Sequence, residues 1–115
     1  MKVIIAGSRT IKDYNFLLNA VKESSFIITE VVCGMAEGVD KLGLKWGYEN
    51  KIPVMKFPAD WNKYGRSAGI IRNTQMADYA DALIALWDGK SKGTLNMINT
   101  MRKLNKEVYV FTIKN

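Results

Sequence analysis

The stretch from Ala82 to Thr94 reads ALIALWDGKSKGT, and this stretch decides the fold. Its first six residues, Ala82–Trp87, form an unbroken apolar run. Such a run predicts a central strand that is buried on both faces of a parallel sheet. A glycine-containing turn then leads into a helix that we predict over Thr94–Lys103. The apolar stripe of this helix is predicted to consist of Leu95, Ile98, Met101 and Leu104.

The rest of the chain repeats this alternation of strands and helices. Four further strands are predicted at Lys2–Ala6, Glu30–Cys33, Val54–Phe57 and Glu107–Phe111. Three further helices are predicted at Asp13–Ser24, with Asp13 as its N-cap, at Val39–Asn50 and at Ala68–Tyr79. A long loop, Pro58–Ser67, follows the third strand. This order predicts one α/β domain over residues 1–115, a Rossmann-like three-layer sandwich with helices on both faces of a mostly parallel five-stranded sheet.

The composition restricts the chemistry that the chain can perform. A formal net charge of +6 favours phosphates, nucleotides or nucleic acid as partners, although scattered lysines also serve solubility. Cys33 is the single cysteine and histidine is absent, which excludes an internal disulfide, the common zinc sites and a Ser–His or Cys–His nucleophile pair. We therefore predict no metal and no cofactor. No leader and no membrane-length apolar segment is visible, which predicts a cytoplasmic protein without membrane contact.

The connections that lead from a strand to a helix carry the unusual residues, and all of them fall on one edge of the predicted sheet. They are Gly7–Arg9, Gly34–Asp40, Pro58–Trp61 and Asp88–Thr94. Glycines in such turns let the backbone approach a ligand, and the helix N-terminus behind them attracts anions. Helix N-termini converge there at Gly34–Gly38, Arg66–Gly69 and Gly89–Thr94. The spacing matches neither the dinucleotide fingerprint nor the Walker A loop, which argues against an NAD dehydrogenase and an ATPase.

Several polar and aromatic side chains at this edge have two interpretations each. Trp61 and Tyr64 can stack on a base, while Trp61 can instead cover the core. Arg72 can pair bidentately with a phosphate or serve as a surface or ion-pair residue. Asp40 can accept hydrogen bonds from ribose hydroxyls or from Arg9, or can simply cap its helix. Cys33 is expected to be a buried small apolar residue.

The motifs resemble those of the YspA-like, cpYpsA-related branch of the SLOG superfamily. The matching residues are Gly7-Ser8-Arg9, then Gly34-xxx-Gly38-x-Asp40, then Pro58-Ala59-Asp60-Trp61-xx-Tyr64-Gly65-xx-Ala68-Gly69-xx-Arg72-Asn73-xx-Met76, then Gly93-Thr94. They span nearly the whole chain. The resemblance implies a Rossmann-like fold and a pocket for nucleotide-derived ligands. The wider superfamily includes ligand sensors in anti-phage systems, cytokinin-activating phosphoribohydrolases and the DNA-handling DprA proteins.

The chain departs from the phosphoribohydrolases of that superfamily at the catalytic positions. Their motif is Pro-Gly-Gly-x-Gly-Thr-x-x-Glu, but here Met97 stands at the glutamate position and the paired glycines are absent. Arg72 matches the arginine of their Arg-Lys pair, whereas Asn73 replaces the lysine. Because Met97 cannot ionise, the resemblance implies phosphate binding and argues against hydrolysis by that mechanism.

These observations predict a binding module for a nucleotide-derived small molecule, such as an ADP-ribose-like compound or a sugar nucleotide. Arg9, Arg72 and the Gly93-Thr94 turn would hold phosphate, Asp40 or Asp60 would meet ribose hydroxyls, and Trp61 or Tyr64 would stack on the base. The complete predicted set of ligand-binding residues is Gly7, Ser8, Arg9, Gly34, Met35, Gly38, Asp40, Asp60, Trp61, Tyr64, Arg72, Asn73, Gly93 and Thr94.

Two other functions stay open at this point. The first is an enzyme that cleaves an N-glycosidic bond, with Asp40, Asp60 or Glu37 as the catalytic carboxylate. The second is a single-stranded nucleic-acid binder of the DprA type, which would use basic charge and aromatic side chains. We also expect a homo-oligomer, a dimer or a tetramer, because related domains often pair through helices.

Overall fold

Five parallel strands form one sheet in the computed structural model, which describes residues 1–35 and 38–113. The strands are β1 (Lys2–Gly7), β2 (Glu30–Cys33), β3 (Val54–Lys56), β4 (Ala82–Trp87) and β5 (Glu107–Thr112). Their spatial order is β3-β2-β1-β4-β5, and each of these neighbouring pairs is parallel. The predicted sheet is confirmed, with one correction. β1 occupies the middle, and β4, which we expected to be central, lies beside it.

Helices cover both faces of this sheet, as predicted. They are α1 (Tyr14–Ser24), α2 (Val39–Glu49), α3 (Trp61–Tyr64), α4 (Ala68–Tyr79) and α5 (Lys92–Lys103). Side chains alternate between the faces of a strand, so Val3 and Ile5 of β1 pack with α1 and α2, whereas Ile4 packs with α4 and α5. Two apolar cores therefore enclose the sheet. None of the helices in the described part of the chain combines the length and the apolar character needed to cross a membrane.

Helix α5 differs from its prediction because its N-cap lies further upstream. It begins at Lys92 rather than Thr94, since the Ser91 side chain accepts a hydrogen bond from the backbone N–H of Thr94. The buried residues are Thr94, Met97, Ile98 and Met101. The predicted stripe members Leu95 and Leu104 are exposed by 39% and 43%.

The predicted loop Pro58–Ser67 contains helical structure that we did not expect. Asp60 caps the short helix α3 by accepting a hydrogen bond from the backbone N–H of Lys63 at 3.0 Å. A 3₁₀ turn at Gly65–Ser67 then leads into α4. Neither the short helix nor this turn has a buried residue. The segment therefore lies on the surface at the edge of the sheet where the strands end.

Close contacts between loops hold that edge together. Gly38 caps α2 with a φ of 76°, and a Cβ at this position would collide with the carbonyl oxygens of Ser8 and Arg9. Ser8 is buried, and its hydroxyl accepts a hydrogen bond from the backbone N–H of Asp88 at 3.1 Å. The loops after β1, β2 and β4 are therefore packed into one platform, which supports the candidate site.

Candidate ligand-binding site

A cleft of about 310 Å³ opens at the edge where the strands end. This is where open α/β sheets bind ligands, and its volume falls in the range of small-molecule pockets. The predicted ligand-binding residues that line it are Gly7, Arg9, Asp40, Trp61, Arg72, Asn73, Gly93 and Thr94. The structure thus brings together residues from the loops after β1, β2, β3 and β4, as the position of the glycine turns predicted.

The N-terminus of α5 forms one wall of the cleft. The Asp88 carboxylate accepts hydrogen bonds from the backbone N–H groups of Lys90 and Ser91, both at 2.8 Å, and these bonds lower the pKa of Asp88. Within the described residues, the N–H groups of Lys92 and Gly93 have no hydrogen-bond partner. A Cβ at Gly93 would meet no other atom within 4 Å. The helix end is therefore open to a close approach by an anion.

Arg72 lies at the centre of the site and is held by the protein itself. Its guanidinium donates to the backbone carbonyl of Gly34 and, at 3.2 Å, to the Asn73 side chain. A Cβ at Gly34 would overlap this guanidinium, so the glycine makes the arginine's position possible. Arginine has five N–H donors, and these two bonds leave three of them for a ligand.

Asn73 performs a supporting role in the structure. It is 7% exposed, and its amide nitrogen donates to the Gly93 carbonyl at 3.2 Å and to the Asn96 side chain at 3.0 Å. Its oxygen accepts the hydrogen bond from Arg72. Asn73 therefore holds the start of α5 against α4 and fixes the orientation of Arg72.

The charge of the cleft is predominantly positive. Arg9 and Arg66 are exposed at its rim, and Arg72 lies deeper. Asp40 is the carboxylate among the described residues that line the cleft, and it is 6% exposed. Asp40 does not cap α2, contrary to one of our two interpretations, because Gly38 occupies the cap and Asp40 lies in the first turn.

An aromatic surface borders this positive region. Trp61 is 59% exposed, and its ring lies 3.7 Å from the position that a Cβ at Gly69 would occupy. Ile70, which is 56% exposed, lines the same cleft. Trp61 therefore does not cover the core, and its ring is available for stacking on a planar ligand.

Other predicted site residues lie outside the cleft. Asp60 and Tyr64 line a separate depression of about 180 Å³, which shares Arg72 with the cleft. Ser8, Gly34 and Gly38 contribute through the loop contacts described above. Met35 lines a groove on the outer side of α2. Glu37, a candidate carboxylate for catalysis, lies outside the described residues.

Although the segments Arg66–Gly69 and Asp88–Thr94 were predicted to lie at this edge, several residues that line the cleft are absent from the predicted set of ligand-binding residues. They are Ala6, Arg66, Gly69, Ile70, Met76, Ser91 and Met97. Ser91 had a readable signal, because it lies in the predicted segment Asp88–Thr94 and serine is a favoured helix N-cap residue. Met97 is of particular interest, since it occupies the position of the phosphoribohydrolase glutamate and is 1% exposed.

Cys33 lies at the end of β2 and is fully buried, as expected. Burial is the main cause that raises the pKa of its thiol, and the nearby carboxylate of Asp40 raises it further. Among the described residues, no group of three or more cysteine, aspartate or glutamate side chains is arranged to hold a metal ion.

Comparison with known proteins identifies the family of this chain. Residues 1–64 match the model of the YspA, cpYpsA-related SLOG family. The chain is 31% identical over 121 residues to the Gene 61 protein of Mycobacterium phage D29, covering 96% of this chain and 95% of that protein.

Its fold is similar to that of DNA processing protein A (DprA) from Streptococcus pneumoniae, with a TM-score of 0.76 and 14% sequence identity. The similarity covers 95% of this chain and 49% of that one, so this chain spans about half of DprA. At this identity the likeness shows the fold alone. Because the family model covers more than half of the chain and the phage relative nearly all of it, the protein belongs to the YspA, cpYpsA-related SLOG family.

Proposed function

We propose that the protein binds a nucleotide-derived small molecule in the cleft, with a phosphate of the ligand at the N-terminus of α5. One observation carries this proposal. The described residues that line the cleft include three arginines and one carboxylate, and one wall of the cleft is a helix end with open N–H groups. The arginines are Arg9, Arg66 and Arg72. Such an arrangement has the charge and the donors that a phosphate requires.

Each part of a nucleotide has a suitable partner in this proposal. Arg9, Arg72 and the backbone at Gly93-Thr94 would hold phosphate, with Arg66 as an additional cation at the rim. Asp40 would accept hydrogen bonds from ribose hydroxyls. Trp61 would stack on the base, because its ring is exposed and borders the cleft. ADP-ribose-like compounds and sugar nucleotides contain all three of these parts.

The family and the fold support the same conclusion. Membership of the SLOG family and the likeness to DprA are both consistent with a nucleotide-related binding domain. We expect the protein to act in the cytoplasm, where nucleotides are available. We also propose a homo-oligomer, which light scattering of the purified protein would test.

Calorimetric titration with AMP, ADP-ribose and UDP-glucose tests the proposal. Arg9→Ala should weaken binding by roughly 1.5–3 kcal/mol, because it removes a charge-assisted hydrogen bond. Arg102→Ala is the matched control, since Arg102 lies in the last turn of α5, far along the helix from the cleft. An Arg9→Ala variant that binds as tightly as the wild type, or an absence of binding to every nucleotide tested, would contradict the proposal.

Asp40 favours the second candidate function, N-glycosidic bond hydrolysis. It is a nearly buried carboxylate in the cleft, where it can lie beside a bound sugar. Asp60 is a weaker candidate, because it caps α3 outside the cleft. Release of free base from a nucleotide would distinguish this function from binding alone.

The third candidate is binding of single-stranded nucleic acid. The similar solved structure is named a DNA processing protein, but the likeness in itself concerns fold. A nucleic-acid strand that binds through many of its phosphates loses affinity for the protein steeply as the salt concentration rises, whereas a mononucleotide loses much less. Titrating an oligonucleotide and AMP at two salt concentrations would therefore separate these two functions.

A further inference from the structure

The N-terminal half of α4 forms a ridge between two concavities. On one side of the ridge, Gly69 and Asn73 line the cleft. On the other side, Ala68 and Gln75 line the depression of about 180 Å³. Arg72 lines both concavities, so one guanidinium borders both spaces.

The segment that precedes α4 packs against this helix, and its side chains are divided between the two concavities. Trp61 and Arg66 line the cleft, whereas Lys63 and Tyr64 line the depression. Each concavity thus receives one aromatic ring and one cation from the same short segment. Residues that lie close together in the sequence motif therefore line different concavities.

The depression has the chemistry of an anion-binding subsite. Lys63 and Arg72 supply two positive charges, and the Lys63 ammonium lies 5.1 Å from the centre of the Tyr64 ring. The Tyr64 hydroxyl and the Gln75 amide are further polar groups in the lining. Asp60 is the opposing carboxylate, and one of its oxygens already accepts a hydrogen bond from the backbone of Lys63.

The guanidinium of Arg72 limits what can occupy both concavities, because it lines both of them and lies between them. The two phosphates of a diphosphate share one bridging oxygen, so they cannot lie on opposite sides of one guanidinium. Two phosphates that are separated by a nucleoside can do so, with Arg72 between them.

We propose that the ligand carries two phosphate groups separated by a nucleoside, as in a 5′-phosphorylated dinucleotide. This inference rests on the proposed function, because it assumes that the first phosphate binds in the cleft. The second phosphate binds to Lys63, Gln75 and the outer side of Arg72. The three guanidinium donors that remain after the bonds to Gly34 and Asn73 serve both groups.

Calorimetric titration of the full chain with AMP, ADP and the dinucleotide pApA tests the inference. We expect pApA to bind about tenfold more tightly than AMP or ADP, because it gains a charge-assisted contact with Lys63. In Lys63→Ala this gain should disappear, while the affinity for AMP stays within about twofold of the wild type. The backbone N–H of Lys63, which donates to the capping side chain of Asp60, is retained in this variant. Lys103→Ala, at an exposed position in the last turn of α5, is the matched control.

The outcomes separate this inference from the proposed function. If AMP binds and pApA binds no more tightly, the inference is wrong and the proposed function stands. If ADP equals pApA, adjacent phosphates are sufficient and the inference is overturned. If the gain survives in Lys63→Ala, the second phosphate binds elsewhere, which also overturns it. If no nucleotide binds, the proposed function fails together with the inference.

Discussion

The guanidinium of Arg72 donates a hydrogen bond to the backbone carbonyl of Gly34, and this bond joins α4 to the loop after β2. Arg72 is thus both a structural link and the central cation of the candidate site. Replacing it would remove a fold contact and a ligand contact at the same time. A substitution at Gly34 instead separates the position of the guanidinium from its charge, because the new Cβ would displace the group without removing it.

Gly34→Ala should weaken nucleotide binding about tenfold while costing about 1 kcal/mol of stability. The new Cβ would overlap the guanidinium, which is the far end of a flexible side chain and can move aside. Arg72→Ala should lose affinity to a greater extent, because it also removes the charge. Titration and thermal melts of both variants would check this ordering. Equal affinity of Gly34→Ala and wild type would show that the position of Arg72 does not matter for binding.

Gly93→Ala should raise stability and lower affinity. Alanine is favoured over glycine in a helix by up to about 1 kcal/mol, and a Cβ at this position meets no other atom within 4 Å. The same methyl group would occupy the space where a phosphate approaches the helix end. Melting temperature and calorimetric affinity, measured on one preparation, should therefore change in opposite senses.

Gly38→Ala is the contrasting variant for that experiment. Gly38 has a φ of 76°, and a Cβ would collide with the carbonyl oxygens of Ser8 and Arg9, which cannot move independently of their loop. We expect a loss of roughly 1–3 kcal/mol in the free energy of unfolding. A Gly38→Ala protein as stable as Gly93→Ala would contradict the packing of these loops.

Lys106→Met should destabilise the fold by about 1.5–3 kcal/mol without affecting the cleft. The Lys106 ammonium donates to the carbonyls of Ala77 at 2.6 Å, Ala80 at 2.8 Å and Asp78 at 3.2 Å, which end α4. Methionine preserves the aliphatic stem but donates no hydrogen bond, so these carbonyls lose their partner. Urea denaturation would measure the loss, and Lys103→Met, at an exposed position, should change stability by less than about 0.5 kcal/mol.

Asp88 should make the loop before α5 sensitive to acid. Its folded-state pKa is lowered by hydrogen bonds from the backbone N–H groups of Lys90 and Ser91. The stabilisation is therefore fully present above the ordinary aspartate pKa of about 3.9 and is lost as the pH falls through the lower folded value. Asp88→Asn should be less stable than wild type at pH 7. In denaturation curves taken from pH 7 to pH 2, the difference in the free energy of unfolding between Asp88→Asn and the wild type should narrow below about pH 4. A difference that stays constant would exclude this role for Asp88.

The sequence predicted long elements well because their signals repeat over many residues. β4 and α4 begin and end where the apolar run and the helical period placed them. Helix α3 was missed because four residues are too few to show a period. The stripe of α5 was predicted only in part: Ile98 and Met101 are buried, whereas Leu95 is exposed and Leu104 lies at the C-cap, beyond the last helical residue.

The edge of the sheet that carries the candidate site could be predicted from topology. The division of this edge into a cleft and a separate depression could not. All strand-to-helix turns of a parallel sheet meet at one edge, which placed Arg9, Asp40 and Gly93 together. The separation of Trp61 from Tyr64 depends on the direction of each side chain on α3. Those directions depend on how this segment packs against α4, which no local pattern in the sequence records.

We expect no appreciable hydrolysis of AMP to adenine and ribose phosphate. Cleavage of an N-glycosidic bond requires a carboxylate beside the developing oxocarbenium ion. The position that carries this group in the phosphoribohydrolases is Met97, whose side chain lines the cleft and cannot ionise. Asp40 also lines the cleft and is the carboxylate with access to a bound sugar among the described residues, so it is the residue to test. Chromatography of AMP incubated with the protein would detect free adenine. Adenine released at enzymatic rates by the wild type and by Asp60→Asn, but not by Asp40→Asn, would replace the binding function with a hydrolase.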